Sequence, residues 1–163
     1  MPDKKTIEAA RADKRAGKSP STQAGEFVRE EVHHIREGKH GAESTKQAIA
    51  IGLSKARRAG VDLPPPPEDA TERTKESAES AVRRRGKKVS AKRSRAMRGV
   101  LKREGHAAAS KKSLSRQAKS AARQRSASDR SRAAKKAART KGAAGRKAAA
   151  RKAARTRARR ASR

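Results

Sequence analysis

The chain has 163 residues, 47 Lys and Arg against 16 Asp and Glu, and a formal net charge of +31. With 39% charged residues, one Phe and neither Tyr nor Trp, it has too little apolar mass to organise its whole length around a core. The lack of cysteine excludes a disulfide framework, a thiolate metal site and a cysteine nucleophile, and no apolar run is long enough to span a bilayer.

The N-terminus, Met1-Pro2-Asp3-Lys4-Lys5, leads into charged sequence without an apolar h-region, which argues against a secretory signal. Within residues 1–18 the composition predicts a weak helix over 3–16, with Asp3 placed to cap it, Ile7 its one substantial anchor and Gly17 its stop. Residues 19–63 read as a helical hairpin. Ser19-Pro20 supplies an N-cap and a first-turn Pro, and Ala24, Phe27, Val28, Val32 and Ile35 recur at helical spacing before Gly38. After the turn Gly38-Lys39-His40-Gly41, Ser44 and Gln47 have capping-box spacing, Ala48, Ile49, Gly52, Leu53 and Ala56 continue the period, and Gly60 ends it. Pro64 to Pro67 predict a stiff spacer and a domain boundary, and the acidic stretch through Val82 predicts a solvated linker helix, so that 64–82 connects rather than packs.

From Arg83 onward the chain is mostly Arg, Lys, Ala and Ser. Thirty-two basic residues face two acidic ones, Glu104 and Asp129, and after Leu114 no apolar residue exceeds Ala in size. Val89, Met97, Val100, Leu101 and Leu114 are expected to support transient helix and no packed unit. Like charges repel at i,i+3 and i,i+4, so the free tail over 83–163 is expected to be open and to gain helix when phosphates neutralise it. Near the end Lys135-Lys-Ala-Ala-Arg-Thr140 returns as Arg151-Lys-Ala-Ala-Arg-Thr156, a repeated charge motif. The fold class expected is therefore mostly α: a small helical hairpin plus a long disordered-to-helical basic tail.

A coreless polycation calls for a polyanion. The expected phosphate contacts are Arg83, Arg84, Arg85, Lys87, Lys88, Lys92, Arg93, Arg95, Lys111, Lys112, Arg116, Lys119 and Arg123. They continue through Lys135, Lys136, Arg139, Lys141, Arg146, Lys147, Arg151, Lys152, Arg155, Arg157, Arg159 and Arg160. Twenty Arg against twelve Lys in this stretch favours bidentate phosphate binding and narrow grooves, and the scarcity of aromatics disfavours single-strand stacking; both point to duplex DNA, with structured RNA as the alternative. The second hairpin helix also reads as the DNA-facing element of a reduced helix-turn-helix, through Lys46, Gln47, Lys55, Arg57 and Arg58. The competing reading is a solvated amphipathic helix, since the connection is longer than that motif's three or four residues.

No metal or cofactor is expected. His33 and His34 are adjacent and point apart on a helix, and the expected pairs are Glu30 with His34 and His33 with Glu37. No serine has a base and an orienting acid beside it, so no catalysis is expected either. The apolar faces of the hairpin are small for a lone domain, which makes a homodimer an expectation, and the hairpin as a regulatory, antitoxin-like protein-interaction module a further alternative. No membrane partner is expected, because the tail has no apolar face to insert.

The segments Ser21-Thr-Gln-Ala-Gly-Glu-Phe-Val-Arg-Glu-Glu31, His34-Ile-Arg-Glu-Gly-Lys-His-Gly41 and Ser44 through Gly60 resemble a family of small basic bacterial proteins labelled uncharacterised or DNA-binding. Leu114-Ser-Arg-Gln-Ala-Lys-Ser-Ala-Ala-Arg123 resembles the same family. The last thirty residues are similar to linker-histone tails and to the Ala/Lys-rich tails of bacterial histone-like proteins, although here Arg exceeds Lys and no Pro follows Pro67. The resemblance implies DNA binding and assigns no catalytic residue; with the charge and the absence of a signal or membrane span, the expectation is a non-enzymatic, histone-like DNA-binding protein on the nucleoid, in the cytoplasm.

Overall fold

The structure is a computed structural model that describes residues 2–162. Among these residues it contains seven α-helices, one short 3-10 turn and no strand. The helices are α1 (Lys4–Arg15), α2 (Pro20–Arg36), α3 (Thr45–Arg58), α4 (Glu72–Arg83), α5 (Ala91–Lys102), α6 (Lys111–Gln124) and α7 (Ala127–Ala161), and the 3-10 turn is Ala107–Ala109. The chain divides into two compact units, one ending at Gln117 and the other beginning at Ala118.

In the first unit, α2 and α3 form the hairpin that their spacing predicts. Ser44 Oγ accepts from the Gln47 N–H at 3.1 Å, as a capping box requires, while Gln47 Oε1 accepts from the Glu43 N–H at 2.8 Å, one residue before the cap. Gly60, at φ 98°, ends α3 in the left-handed region, and the Val61 N–H returns to the Ala56 carbonyl at 3.0 Å. The two helices approach closely at Gly52, where a Cβ would lie 2.7 Å from Val28 Cα.

Two small clusters make the core. Ala10, Ala24, Phe27, Ala56 and Val61 form one, with Ile7, Leu53 and Leu63 at its edge. Val32, Ile35, Ala42, Ala48, Ala108 and Ala109 form the other, with Leu114 against it. The apolar cover that the hairpin lacks by itself therefore comes from its own chain: α1 brings Ile7 and Ala10, and the 3-10 turn brings Ala108 and Ala109. α1 is correspondingly docked on α2 rather than isolated.

Two expectations from the sequence need correction. The polyproline segment does not isolate the hairpin: Arg57 Nη2 donates to the Pro64 carbonyl at 3.2 Å, and α4, with Ala78 and Ala81 buried, packs on α3. Nor does an uncored tail begin at Arg83. The Gly41 N–H donates to the Leu101 carbonyl at 2.8 Å, the Ala42 N–H to Gly105 at 3.1 Å, Thr45 Oγ1 to Ala108 at 2.7 Å and Arg36 Nε to Ala109 at 2.8 Å. Backbone carbonyls and the methyls of Ala108 and Ala109 anchor residues 101–109. Gly41 is needed for this approach, since a Cβ there would overlap the Glu104 carbonyl.

In the second unit the expected open chain is a helix. Fourteen of the thirty-five residues of α7 are Ala, the best helix former, and the start is well capped: Ser126 Oγ accepts from the Asp129 N–H at 3.0 Å. Asp129 also pairs with Arg132 one turn on. Propensity and capping outweigh the repulsion on which the open-chain expectation rested. Gly142 breaks the helix with φ 65°, ψ 172°.

Candidate nucleic-acid interface

Residues 118–163 hold eighteen basic residues and one acidic residue, Asp129. No residue of α7 is buried. On either side of the Gly142 break lies one copy of the repeat, and each is built alike: Thr140 Oγ1 donates to the Lys136 carbonyl at 3.0 Å, and Thr156 Oγ1 to Lys152 at 3.0 Å. The threonines thus turn their hydroxyls back onto the helix, leaving the neighbouring cations outward. Beyond Gly142, Lys147, Arg151, Arg155 and Arg159 follow at four-residue spacing on one helix and so share a stripe. Lys119, Arg123, Lys135, Lys136, Arg139, Lys141, Arg146, Lys152, Arg157 and Arg160 are exposed as well. Arg146 Nη1 donates to the Ala138 carbonyl at 3.2 Å across the break. Hydrogen bonds from Arg132 and Ser126 hold the Asp129 carboxyl below its ordinary value, so it stays ionised within this cationic surface.

The basic residues between Arg83 and Arg116 belong to the first unit. Arg83, Arg84, Lys87, Lys88, Lys92, Arg93, Arg95, Lys111, Lys112 and Arg116 are exposed, Arg83 within 3.4 Å of Glu79. Arg85 is tied down, with Nη2 2.7 Å from Asp62 Oδ1 and a further bond to the Gly60 carbonyl. The residues read from the sequence as one tail are therefore divided between the two units.

The five hairpin residues assigned to a DNA-facing helix are not equivalent. Lys46 is exposed, and Gln47 is occupied in capping. Arg57 is held to Pro64, and burial lowers its pKa. Arg58 is half-buried, with Nε buried and without a hydrogen-bond partner among the described residues. Lys55 is turned inward, its side chain only 20% exposed, with Nζ 2.9 Å from Glu30 Oε1 and 2.7 Å from Glu31 Oε2. Burial by itself would lower the Lys55 pKa, but the Glu31 and Glu30 carboxylates more than offset it and raise the pKa. Burial would likewise raise Glu30, and donors from Thr6, Lys55 and the Asp3 backbone bring it below its ordinary value.

The histidines follow the sequence reading in part. His33 Nε2 lies 2.9 Å from Glu37 Oε1, as four-residue spacing predicts. His34 turns from Glu30 toward Asp3, whose Oδ2 is 3.3 Å from Nε2, while Glu30 takes Lys55 and the Asp3 N–H. Asp3 thus contributes no side-chain cap to α1. Sequence reading missed Glu31, which is completely buried in the hairpin. Its one legible signal was the i,i+3 relation to His34, and nothing in the spacing announces that the turn returns His40 to the same place.

The protein is thus defined by an all-helical unit built on a hairpin and by a basic helical segment beyond it. Residues 11–66 match a family described as of unknown function, DUF6496. The match covers the hairpin and stops short of every cation from Arg83 onward. No curated protein and no solved structure matches the chain. Among the described residues no helix is long and apolar enough to cross a membrane.

Proposed function

We propose that the protein binds duplex DNA without catalysis and with little sequence preference, as a histone-like component of the bacterial nucleoid in the cytoplasm. The observation that carries this reading is the segment from Ala118, where sixteen cations and a single carboxylate lie in helices without a buried residue. Their self-repulsion is relieved by a polyphosphate, and the released counterions supply the driving force. A helix fits the major groove of B-DNA, and the break at Gly142 lets two cationic segments follow the backbone in different directions. Phosphate contacts of this kind position a protein without reading bases. Selectivity falls to the folded unit, in which Lys55 is committed to internal pairing, so Lys46 and the exposed cations between Arg83 and Arg116 are the contacts it offers.

Competition at matched ionic strength tests the choice of polymer. Duplex DNA of unrelated sequences is expected to compete equally well, and better than a folded RNA of equal charge. Preference for the folded RNA overturns the DNA reading in favour of a ribosome-associated or other RNA-bound role.

A further inference from the structure

The Glu31 carboxyl group lies in the interior with one of its oxygens left without a hydrogen-bond donor among the described residues. Its side chain is fully buried, and among the described residues the Lys55 ammonium is the one close donor it meets. Lys55 Nζ stands 2.7 Å from Oε2 and holds that oxygen by charge. The other, Oε1, lies 3.4 Å from His40 Nε2, beyond the usual range of an N–H···O bond.

The far side of the His40 ring decides what Nε2 can do. Nδ1 is 3.0 Å from the Gly41 carbonyl oxygen, a contact in which only the nitrogen can donate. In the neutral ring the proton is then on Nδ1, and Nε2 presents a lone pair. Such a backbone carbonyl on the outer nitrogen is what orients a ligating histidine. Adjacent donors around a tetrahedral ion with arms of about 2.0–2.1 Å are separated by about 3.3–3.4 Å, which matches the Glu31–His40 spacing. His34 stands one turn after Glu31 on α2, so the two share a face, and one ligand atom from each of Glu31, His34 and His40 lies within 4.8 Å of the others. Both imidazoles are nearly enclosed, each side chain 13% exposed.

We propose that Glu31, His34 and His40 form a three-ligand site for a divalent transition metal of borderline softness, with Zn²⁺ the type ion and a fourth position left to water. Two imidazoles and one carboxylate suit such an ion better than Ca²⁺ or Mg²⁺, which favour oxygen ligands. The neighbouring cluster of Asp3, Glu30 and His34 is a weaker candidate, because Lys55 and the Asp3 N–H already occupy the two Glu30 oxygens. Glu31 and His34 come from α2 and His40 from the turn after it, and the next two residues, Gly41 and Ala42, hold the Leu101 and Gly105 carbonyls. Metal binding therefore fastens the turn on which residues 101–109 dock.

The test uses the full chain, stripped of metal and titrated with Zn²⁺ against a chromophoric chelator, together with X-ray absorption of the Zn²⁺ and Co²⁺ forms. One ion per chain is expected, with two histidine nitrogens in its shell and a raised Tm. Glu31→Gln, His34→Ala and His40→Ala should each weaken binding at least tenfold, whereas His33→Ala and His106→Ala should not. Absence of stoichiometric binding, or unchanged binding in both His34→Ala and His40→Ala, overturns the proposal. Should the variants fail to fold, the wild-type absorption spectrum decides: fewer than two histidine nitrogens on the bound metal overturns it equally.

Discussion

In the unit ending at Gln117, Ala24, Ala48, Ala56 and Ala109 are wholly buried, next to Phe27 and Ile35. In the unit from Ala118, the fourteen alanines of α7 lie in a helix with no buried residue. The same residue type serves two physical ends. Where a larger anchor stands nearby, an alanine methyl fills the space between closely approaching backbones and contributes to a core. Where none does, alanine contributes helix propensity and spaces the cations along the helix. The first unit gains stability from burial and internal ion pairing. The second, whose long helix buries no residue, has little tertiary stability to lose.

The sharpest way to break this contrast is to remove an anchor. Phe27→Ala should lower the stability of the first unit by about 3–5 kcal/mol, read as a fall in the urea midpoint, while DNA binding by the second unit survives. Lys55→Met leaves two buried carboxylates without their cation, and should cost about 3 kcal/mol by the same assay. Gly41→Ala forces the turn from the Glu104 carbonyl and should cost about 2 kcal/mol, with faster proteolysis between α5 and α6. Gly142→Ala should leave the urea midpoint of the first unit unchanged and favour continuous helix by about 1 kcal/mol, visible as increased helical ellipticity.

Solution pH sharpens the comparison further, because the internal ion pairs lie in the first unit. The folded Glu30 carboxyl lies below its ordinary value of 4.5, so its contribution is complete above that value and is lost as pH falls through the lower folded value. The Lys55 ammonium lies above its ordinary 10.5, so its contribution is complete below 10.5 and is lost as pH rises through the folded value. Through these two groups, urea midpoints should fall at the acid and the alkaline end. Lys55→Met should remove the part of the alkaline decline that this residue carries.

The hairpin was legible because its signals are local and redundant. Pro20 at the start of α2, the Ser44 cap, Gly60 and the spacing of Phe27, Val32 and Ile35 all agree on the same two helices. The docking of residues 101–109 was not, because it depends on carbonyl acceptors and on Ala108 and Ala109, which carry no periodic apolar signal over that distance. Lys55 was misread for a related reason: on a helical wheel it is one more polar residue, and only the packing of α2 against α3 places it over Glu30 and Glu31. The extent of helix in the second unit is not legible from charge, because alanine propensity and the Ser126 cap outweigh the repulsion between cations. The cations themselves were legible throughout, since charge is a property of composition.

The division of labour between the two units is tested most directly by measuring duplex DNA affinity against salt for the full chain and for a chain ending at Gln117. About ten phosphate contacts imply a slope of log K on log salt near −9. The account predicts that truncation removes most of the affinity and more than half of that slope, while the helical signal and urea midpoint of the first unit persist. An unchanged slope in the shorter chain would contradict it and place the DNA contacts on the folded unit.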